Sequence, residues 1–91
     1  MPIGIFDSGV GGITVLGRVV RLMPKENYIY YADTANFPYG DKSHDEVRDD
    51  VFKAVAEMAE RGIKMLVVAC NTATAAAIKE LRAAYDFPVL G

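Results

Sequence analysis

The 91-residue sequence has one cysteine, one histidine, no tryptophan and no long hydrophobic run. A single cysteine excludes an internal disulfide, so a reducing, cytoplasmic setting is expected. The longest strongly apolar stretch, residues 65–70, is far too short to span a bilayer. The N-terminus lacks the basic and apolar regions of a signal peptide. These absences predict a chain without a membrane partner.

The sequence also lacks an excess of charge of either sign. Its formal net charge is −2, and acidic and basic residues are interleaved. Because no basic stripe is present to attract a phosphate backbone, nucleic acid is not an expected partner. No group of His, Cys, Asp and Glu residues has the spacing of metal ligands. With 52% apolar and 24% charged residues, the composition is typical of one small globular domain.

Short apolar runs alternate with helical patterns along the chain. The patterns predict strands at residues 3–6, 28–32, 64–69 and 88–90, and helices at 13–23, 43–61 and 72–85. The apolar residues at helical spacing are predicted to form the inner faces of the helices: Leu16, Val19, Val20, Met23, Val47, Val51, Val55, Met58, Ile78, Leu81 and Tyr85. Ser43 and Glu46 have the spacing of a capping box, and Gly62 is a predicted helix C-cap. The order β-α-β-α-β-α-β predicts a three-layer α/β unit, a parallel sheet with flanking helices. The unbroken apolar run at 65–69 predicts a parallel strand covered on both faces.

Ligands of open parallel sheets bind beyond the carboxyl ends of the strands. Three predicted loops meet that edge: residues 7–9, 33–41 and 70–72. The polar residues suited to chemistry are concentrated in these loops. The carboxyl edge of the sheet is therefore the predicted site.

Cys70 lies where a strand ends and the next helix begins. Free backbone N–H groups and the helix dipole favour the thiolate there, whereas a nearby Asp7 carboxylate would oppose a second negative charge. The balance suits a thiol that transfers protons. The alternative is a small buried residue, since free cysteine is among the most buried types. Spacing leaves both open.

Asp7 and Ser8 stand between the first strand and a glycine-rich turn. One alternative is a helix N-cap; the other is a carboxylate and a hydroxyl held at the active edge of the sheet. The glycines of DSGVGG allow a small ligand to approach the backbone closely. The dinucleotide pattern G-x-G-x-x-G fails at Thr14, although Asp33 ends the second strand where a ribose-binding acid belongs. A nucleotide site thus stays a minor alternative.

Other polar and aromatic residues carry weaker signals. Residues 38–40 form a turn that could receive a carboxylate or be a plain surface turn. His44 follows the helix cap among charged residues and is predicted to be exposed. The tyrosines of the second strand are predicted to pack in the sheet and not to stack on bases: Tyr28, Tyr30 and Tyr31.

Three motifs together carry a resemblance to a known family: IGIFDSGVGG at 3–12, YYADTANFPYGDKS at 30–43 and VVACNTATA at 67–75. They resemble the cofactor-independent aspartate/glutamate racemase family, in the family's order. Thr74, after CNTA, favours the glutamate branch. The resemblance implies glutamate as substrate, no cofactor and a homodimer for the full-length protein. It also implies a supply of D-glutamate for peptidoglycan, and hence a role in cell wall biogenesis and cell shape.

The resemblance implies roles for individual residues. In the family, a thiolate removes the α-proton from one face of the amino acid and a second thiol protonates the other face. Cys70 matches the first of these cysteines, and Asp7 matches the acid beside it, so both are the expected catalytic residues. The residues expected to bind the substrate are Asp7, Ser8, Pro38, Tyr39, Gly40, Asn71 and Thr72.

The second cysteine of the family is absent from the sequence. We therefore expect residues 1–91 to be the N-terminal part of the first of two racemase domains, and to be inactive by themselves. The alternative is a non-catalytic module, either a folded half-site or a nucleotide binder that uses the DSGVGG loop.

Overall fold

The computed structural model describes residues 1–7, 12–32 and 43–91, with backbone only for 12–15 and 71–72. Its strands are β1 (Ile3–Asp7), β2 (Tyr28–Ala32), β3 (Met65–Val68) and β4 (Val89–Leu90), and its helices are α1 (Gly12–Leu22), α2 (His44–Arg61) and α3 (Asn71–Ala84). The four strands are parallel, in the order β2-β1-β3-β4. The predicted α/β fold is confirmed, and each predicted boundary lies within one residue of the observed one.

Helix α2 begins and ends at the predicted caps. The Ser43 hydroxyl accepts a hydrogen bond from the Glu46 backbone N–H at 3.2 Å, and the Ser43 N–H donates to Glu46 Oε1 at 3.5 Å. At the other end, Gly62 has a φ of 83°, and its N–H donates to the carbonyl of Ala59 at 3.0 Å. This left-handed backbone favours glycine, so α2 stops there.

Helices α2 and α3 pack together on one face of the sheet, which we call the core face. Phe6, Leu66 and Val68 contribute their side chains to this core. The predicted inner face of α2 is confirmed, since Val47, Val51, Val55 and Met58 are at most 1% exposed. In α3, Leu81 is fully buried and Ile78 packs against the same cluster, as predicted.

The opposite side of the sheet, which we call the α1 face, carries the alternate residues of each strand. Ile3 pairs with Tyr28, and Ile5 pairs with Tyr30. The Tyr28 hydroxyl donates to the carbonyl of Met23 at 2.7 Å and approaches that of Val19 at 3.3 Å, so it attaches the end of α1 to this face. The result is the predicted three layers, with α1 opposite α2 and α3.

One prediction about β3 is wrong. The strand was expected to be covered on both faces, but its burial alternates: Leu66 and Val68 are buried, while Met65 and Val67 are half-buried. The reason is that α1 contacts β1 and is attached to β2, at the far side of β1 from β3. On the outer surface of α1, Leu22 is 81% exposed, and Val20, predicted to face inward, is 38% exposed. No helix in the described part of the chain is long and apolar enough to cross a membrane.

Candidate active site

The carboxyl ends of β1 and β3 lie side by side, as the predicted site requires. The N–H of Ala69, just beyond β3, donates to the carbonyl of Phe6 at 2.8 Å. Asp7 and Cys70 each stand one residue beyond this bond. The two residues that sequence analysis predicted to be catalytic therefore lie at the ends of neighbouring strands, at the same edge of the sheet.

Cys70 is the N-cap residue of α3, with extended backbone angles (φ −112°, ψ 124°). Its carbonyl accepts hydrogen bonds from the Thr74 backbone N–H and from Thr74 Oγ1, both at 2.9 Å. The thiol makes no capping hydrogen bond to the helix, and the residue is half-buried against the core. The backbone therefore fixes the position of Cys70, and its sulfur is not used to cap α3.

Asp7 is the last residue of β1 and is completely buried. The Tyr30 hydroxyl, on β2, donates a hydrogen bond to Asp7 Oδ2 at 2.8 Å. Helix α1 begins at Gly12, so the alternative of an N-cap is wrong for Asp7, while Ser8 lies outside the described residues. A buried carboxylate costs free energy unless hydrogen bonds and charges stabilise it, and Tyr30 supplies one such hydrogen bond.

Burial, followed by the hydrogen bond to Asp7 and the charge of that carboxylate, raises the pKa of Tyr30 from 10.0 to about 12. All three effects act in the same direction, because a phenolate would be buried beside a second negative charge. Tyr30 is thus protonated and neutral across the physiological pH range, so its hydroxyl donates a hydrogen bond and carries no charge.

Tyr30 is the residue that sequence analysis missed, since the three tyrosines of β2 were interpreted as sheet packing. Tyr31 fits that interpretation, because its ring stacks on Phe6 with centroids 6.1 Å apart. Tyr30 does more, since its hydroxyl reaches the candidate site. The parallel register places it opposite Ile5, two residues before Asp7 and on the same face. Side chains alternate between the two faces of a sheet, so the sequence could have indicated that Tyr30 and Asp7 share a face only if the register of β1 and β2 had been known.

Several predicted binding residues lie outside the described part of the chain: Ser8, Pro38, Tyr39 and Gly40. The same holds for Asp33 and for two glycines of the DSGVGG loop, on which the nucleotide alternative depends. Asn71 and Thr72 form the first turn of α3, directly after Cys70, although their side chains are not described. The structure thus joins Tyr30 to Asp7 and places Cys70 at the same edge of the sheet, and all the functional assignments stay predictions.

His44 is exposed, as predicted, and its Nε2 lies 3.2 Å from the carbonyl oxygen of Ala75. This contact joins the first residue of α2 to the second turn of α3. Within the described ranges, no three His, Cys, Asp or Glu side chains are grouped so that they could hold a metal ion. A cleft of about 170 Å³ lies between β2 and the end of α2, and Tyr30 lines it whereas Asp7 and Cys70 do not.

Comparison with known proteins gives one consistent result. No family model matches the chain. Glutamate racemase from Halothermothrix orenii is 65% identical over all 91 residues, which cover 36% of that protein. Among solved structures, glutamate racemase from Aquifex pyrophilus superimposes on the whole chain with a TM-score of 0.95 at 42% identity, over 36% of its length. Glutamate racemase from Escherichia coli, in complex with L-glutamate and the activator UDP-MurNAc-Ala, gives a TM-score of 0.93 at 42% identity, covering 99% of this chain and 35% of the other.

Proposed function

Because this chain belongs to the glutamate racemase family, of whose members it spans about a third, we propose that it forms one wall of a glutamate racemase active site. In this proposal, residues 1–91 are the N-terminal part of the first racemase domain. The observation that carries it is the juxtaposition of Asp7 and Cys70 at the ends of two hydrogen-bonded strands.

The chemistry explains why a thiol would stand at this edge. The α-proton of an amino acid is a very weak acid, so its removal needs a well-placed base and electrostatic stabilisation of the carbanion. Cys70 Sγ, as the thiolate, takes the proton from one face of the α-carbon, and the electron pair of the broken C–H bond stays on that carbon. A second thiol then delivers a proton to the opposite face. Inversion follows without any redox change or cofactor.

Asp7 has the second role in this wall. As a buried carboxylate at the same edge of the sheet as Cys70, it assists the proton transfer and binds the substrate ammonium group. The predicted binding residues complete the contacts. Ser8, Asn71 and Thr72 hold the polar groups of the amino acid, while the turn formed by Pro38, Tyr39 and Gly40 receives a carboxylate. The assignment of Asn71 and Thr72 is supported by their place in the first turn of α3, because free N–H groups at a helix N-terminus attract anions.

The proposal also includes the role of the full-length protein in the cell. We infer that the full-length protein is a cytoplasmic homodimer that supplies D-glutamate for peptidoglycan. The Escherichia coli relative supports the connection, because its activator, UDP-MurNAc-Ala, contains muramic acid, a component of peptidoglycan. The muropeptide content of cells depleted of the protein tests this role, and the mass of the purified protein in solution tests the dimer.

The test of the activity uses the full-length protein that contains these residues. Purified protein is incubated with L-glutamate and, separately, with D-glutamate, and the optical rotation is followed to equilibrium. Both reactions should reach equal amounts of the two enantiomers without added cofactor, and L-aspartate should react far more slowly. Failure to convert either enantiomer of glutamate would contradict the proposal.

The 91 residues by themselves should not racemise glutamate at an enzymatic rate. Removal and delivery of a proton on opposite faces need two groups, and the sequence holds one cysteine. In an open, wet site, electrostatic stabilisation is also much weaker than in a closed pocket. In D₂O, the most we expect is slow exchange of the α-hydrogen without efficient inversion. Sustained formation of D-glutamate by the pure 91-residue monomer would show that a second group within it acts as the acid.

A further inference from the structure

We propose that Tyr30 is a positioning residue for Asp7 in the racemisation reaction. Its hydroxyl donates a hydrogen bond that holds the carboxylate in the orientation that the reaction uses. This inference rests on the proposed function, because the role of Asp7 belongs to that proposal. It assigns a task to a side chain that the predicted site did not include.

The geometry carries the inference. The donor–acceptor distance between Tyr30 Oη and Asp7 Oδ2 is 2.8 Å, within the usual range for O–H···O hydrogen bonds. Both side chains belong to adjacent parallel strands, with Tyr30 opposite Ile5 and Asp7 opposite Ala32. The two ends of the bond are therefore fixed by the backbone of the sheet, which is far more rigid than a loop.

The burial of Asp7 gives the bond its importance. The residue is 0% exposed, so water does not take over the role of a donor that is removed. A hydrogen bond from a neutral hydroxyl to a carboxylate stabilises the charged form and fixes its orientation. The raised pKa of Tyr30, about 12, supports the same arrangement, since the phenol keeps its proton at any pH at which the enzyme works.

The chain offers a matched control on the same strand. Tyr28 lies two residues before Tyr30, so it points to the same face, and it is also partly buried with a bonded hydroxyl. That hydroxyl donates to the carbonyl of Met23 at 2.7 Å and does not reach the candidate site. Replacing either tyrosine by phenylalanine removes one hydroxyl that is hydrogen-bonded to the protein. Only Tyr30→Phe should affect Asp7.

The experiment compares kinetics of the full-length protein as wild type, Tyr30→Phe, Tyr28→Phe, Asp7→Asn and the double variant Asp7→Asn/Tyr30→Phe. We expect Tyr30→Phe to lower kcat roughly ten- to a hundredfold, as for loss of a hydrogen bond to a charged group, and to change KM less than threefold. Tyr28→Phe should keep kcat within about twofold of wild type. In the Asp7→Asn background, Tyr30→Phe should cause no further loss, because the group that it positions is gone.

A spectroscopic signature separates positioning from a general effect on folding. With ¹³Cζ-labelled tyrosine, the resonance missing in Tyr30→Phe identifies Tyr30, and that missing in Tyr28→Phe identifies Tyr28. In Asp7→Asn at neutral pH, the Tyr30 resonance should shift and the Tyr28 resonance should not. A shift of both or of neither would overturn the inference whatever the kinetics show.

The outcomes also separate this inference from the proposed function. If wild-type protein racemises glutamate but Tyr30→Phe matches Tyr28→Phe, the inference alone is wrong. If the losses from Asp7→Asn and Tyr30→Phe multiply in the double variant, Tyr30 acts independently of Asp7 and the inference is again wrong. If the wild-type protein does not racemise glutamate, the proposed function is wrong, and the inference that depends on it is wrong as well.

Discussion

On the core face, the side chains of β3 and β4 are closely covered: Leu66, Val68 and Val89 are at most 3% exposed. On the α1 face of the same two strands, Met65 and Val67 are half-buried and Leu90 is 48% exposed. The polar pair Asp7 and Tyr30 also lies on the α1 face. One side of the sheet is thus an apolar core between packed elements, and the other combines apolar residues with a buried carboxylate.

This difference shows how the two tasks of the domain are divided. The apolar core contributes stability in proportion to the area that it removes from water. A buried carboxylate contributes little net stability, and is tolerated where a hydrogen-bond donor is held in place by a neighbouring strand. We therefore expect substitutions within the apolar core to change mainly the free energy of unfolding, and substitutions at the carboxyl edge of the sheet, where Asp7, Tyr30 and Cys70 lie, to change mainly activity.

The largest expected effect on stability is that of Phe6→Ala. Phe6 is 0% exposed on the core face, so its loss leaves a cavity between the sheet and α2. The free energy of unfolding should fall by about 3–5 kcal/mol. Urea unfolding measures the change, and Leu22→Ala, at an 81% exposed position on α1, should change it by less than about 0.5 kcal/mol. Similar losses at both positions would contradict the division between the faces.

Replacing each of two glycines by alanine gives a sharper comparison, because the two substitutions should change the free energy of unfolding in opposite directions. A Cβ at Gly4 would lie 3.0 Å from Ile63 Cδ1 and 3.1 Å from Met58 Sδ, both buried, so Gly4→Ala should destabilise the domain by about 1–3 kcal/mol. A Cβ at Gly17 in α1 would meet nothing within 4 Å. Gly17→Ala should therefore stabilise the helix by about 0.5–1 kcal/mol.

The melting temperatures of the two glycine variants measure this difference directly. The temperature should fall for Gly4→Ala and rise for Gly17→Ala. A fall in both would mean that α1 is packed as tightly as the core face. A rise in both would mean that the contact of β1 with α2 is loose enough to accept a methyl group.

The last expected effect is confined to alkaline pH, where the stability should depend on the ionisation of Tyr30. Its pKa is about 12 in the folded chain and near 10.0 in the unfolded one, so the unfolded chain loses this proton first as the pH rises. The stabilising contribution is complete below pH 10 and is lost between about pH 10 and 12. The difference in unfolding free energy between wild type and Tyr30→Phe should stay constant from pH 8 to 9.5 and then shrink. A difference that is constant up to pH 12 would contradict the buried hydrogen bond.

Much of the fold could be predicted because its signals are local. The capping box at Ser43, the glycine stop at Gly62 and the spacing of valines along α2 each depend on residues within a few turns of one another. The position of Cys70 at a strand end and helix start is local in the same sense. Such features are set by backbone geometry and periodicity, which the sequence shows directly.

The remaining features depend on how distant segments meet. The apolar composition of β3 predicted cover on both faces, but the cover depends on how far α1 extends over the sheet, which no periodicity encodes. The bond between Tyr30 and Asp7 joins residues 23 positions apart, and the β1–β2 register decides whether their side chains share a face. The polar pair of the α1 face was therefore less predictable than the apolar core.

The most direct test of the central claim is the effect of Cys70→Ala on racemisation by the full-length protein. Cys70 is half-buried and makes no capping hydrogen bond, so the variant should fold, with a circular dichroism spectrum and melting temperature close to wild type. We predict that kcat falls by about 10²–10⁴-fold, as expected on loss of the base that removes the α-proton. Cys70→Ser should keep at most a trace of activity. A folded Cys70→Ala protein that interconverts L- and D-glutamate at the wild-type rate would contradict the account.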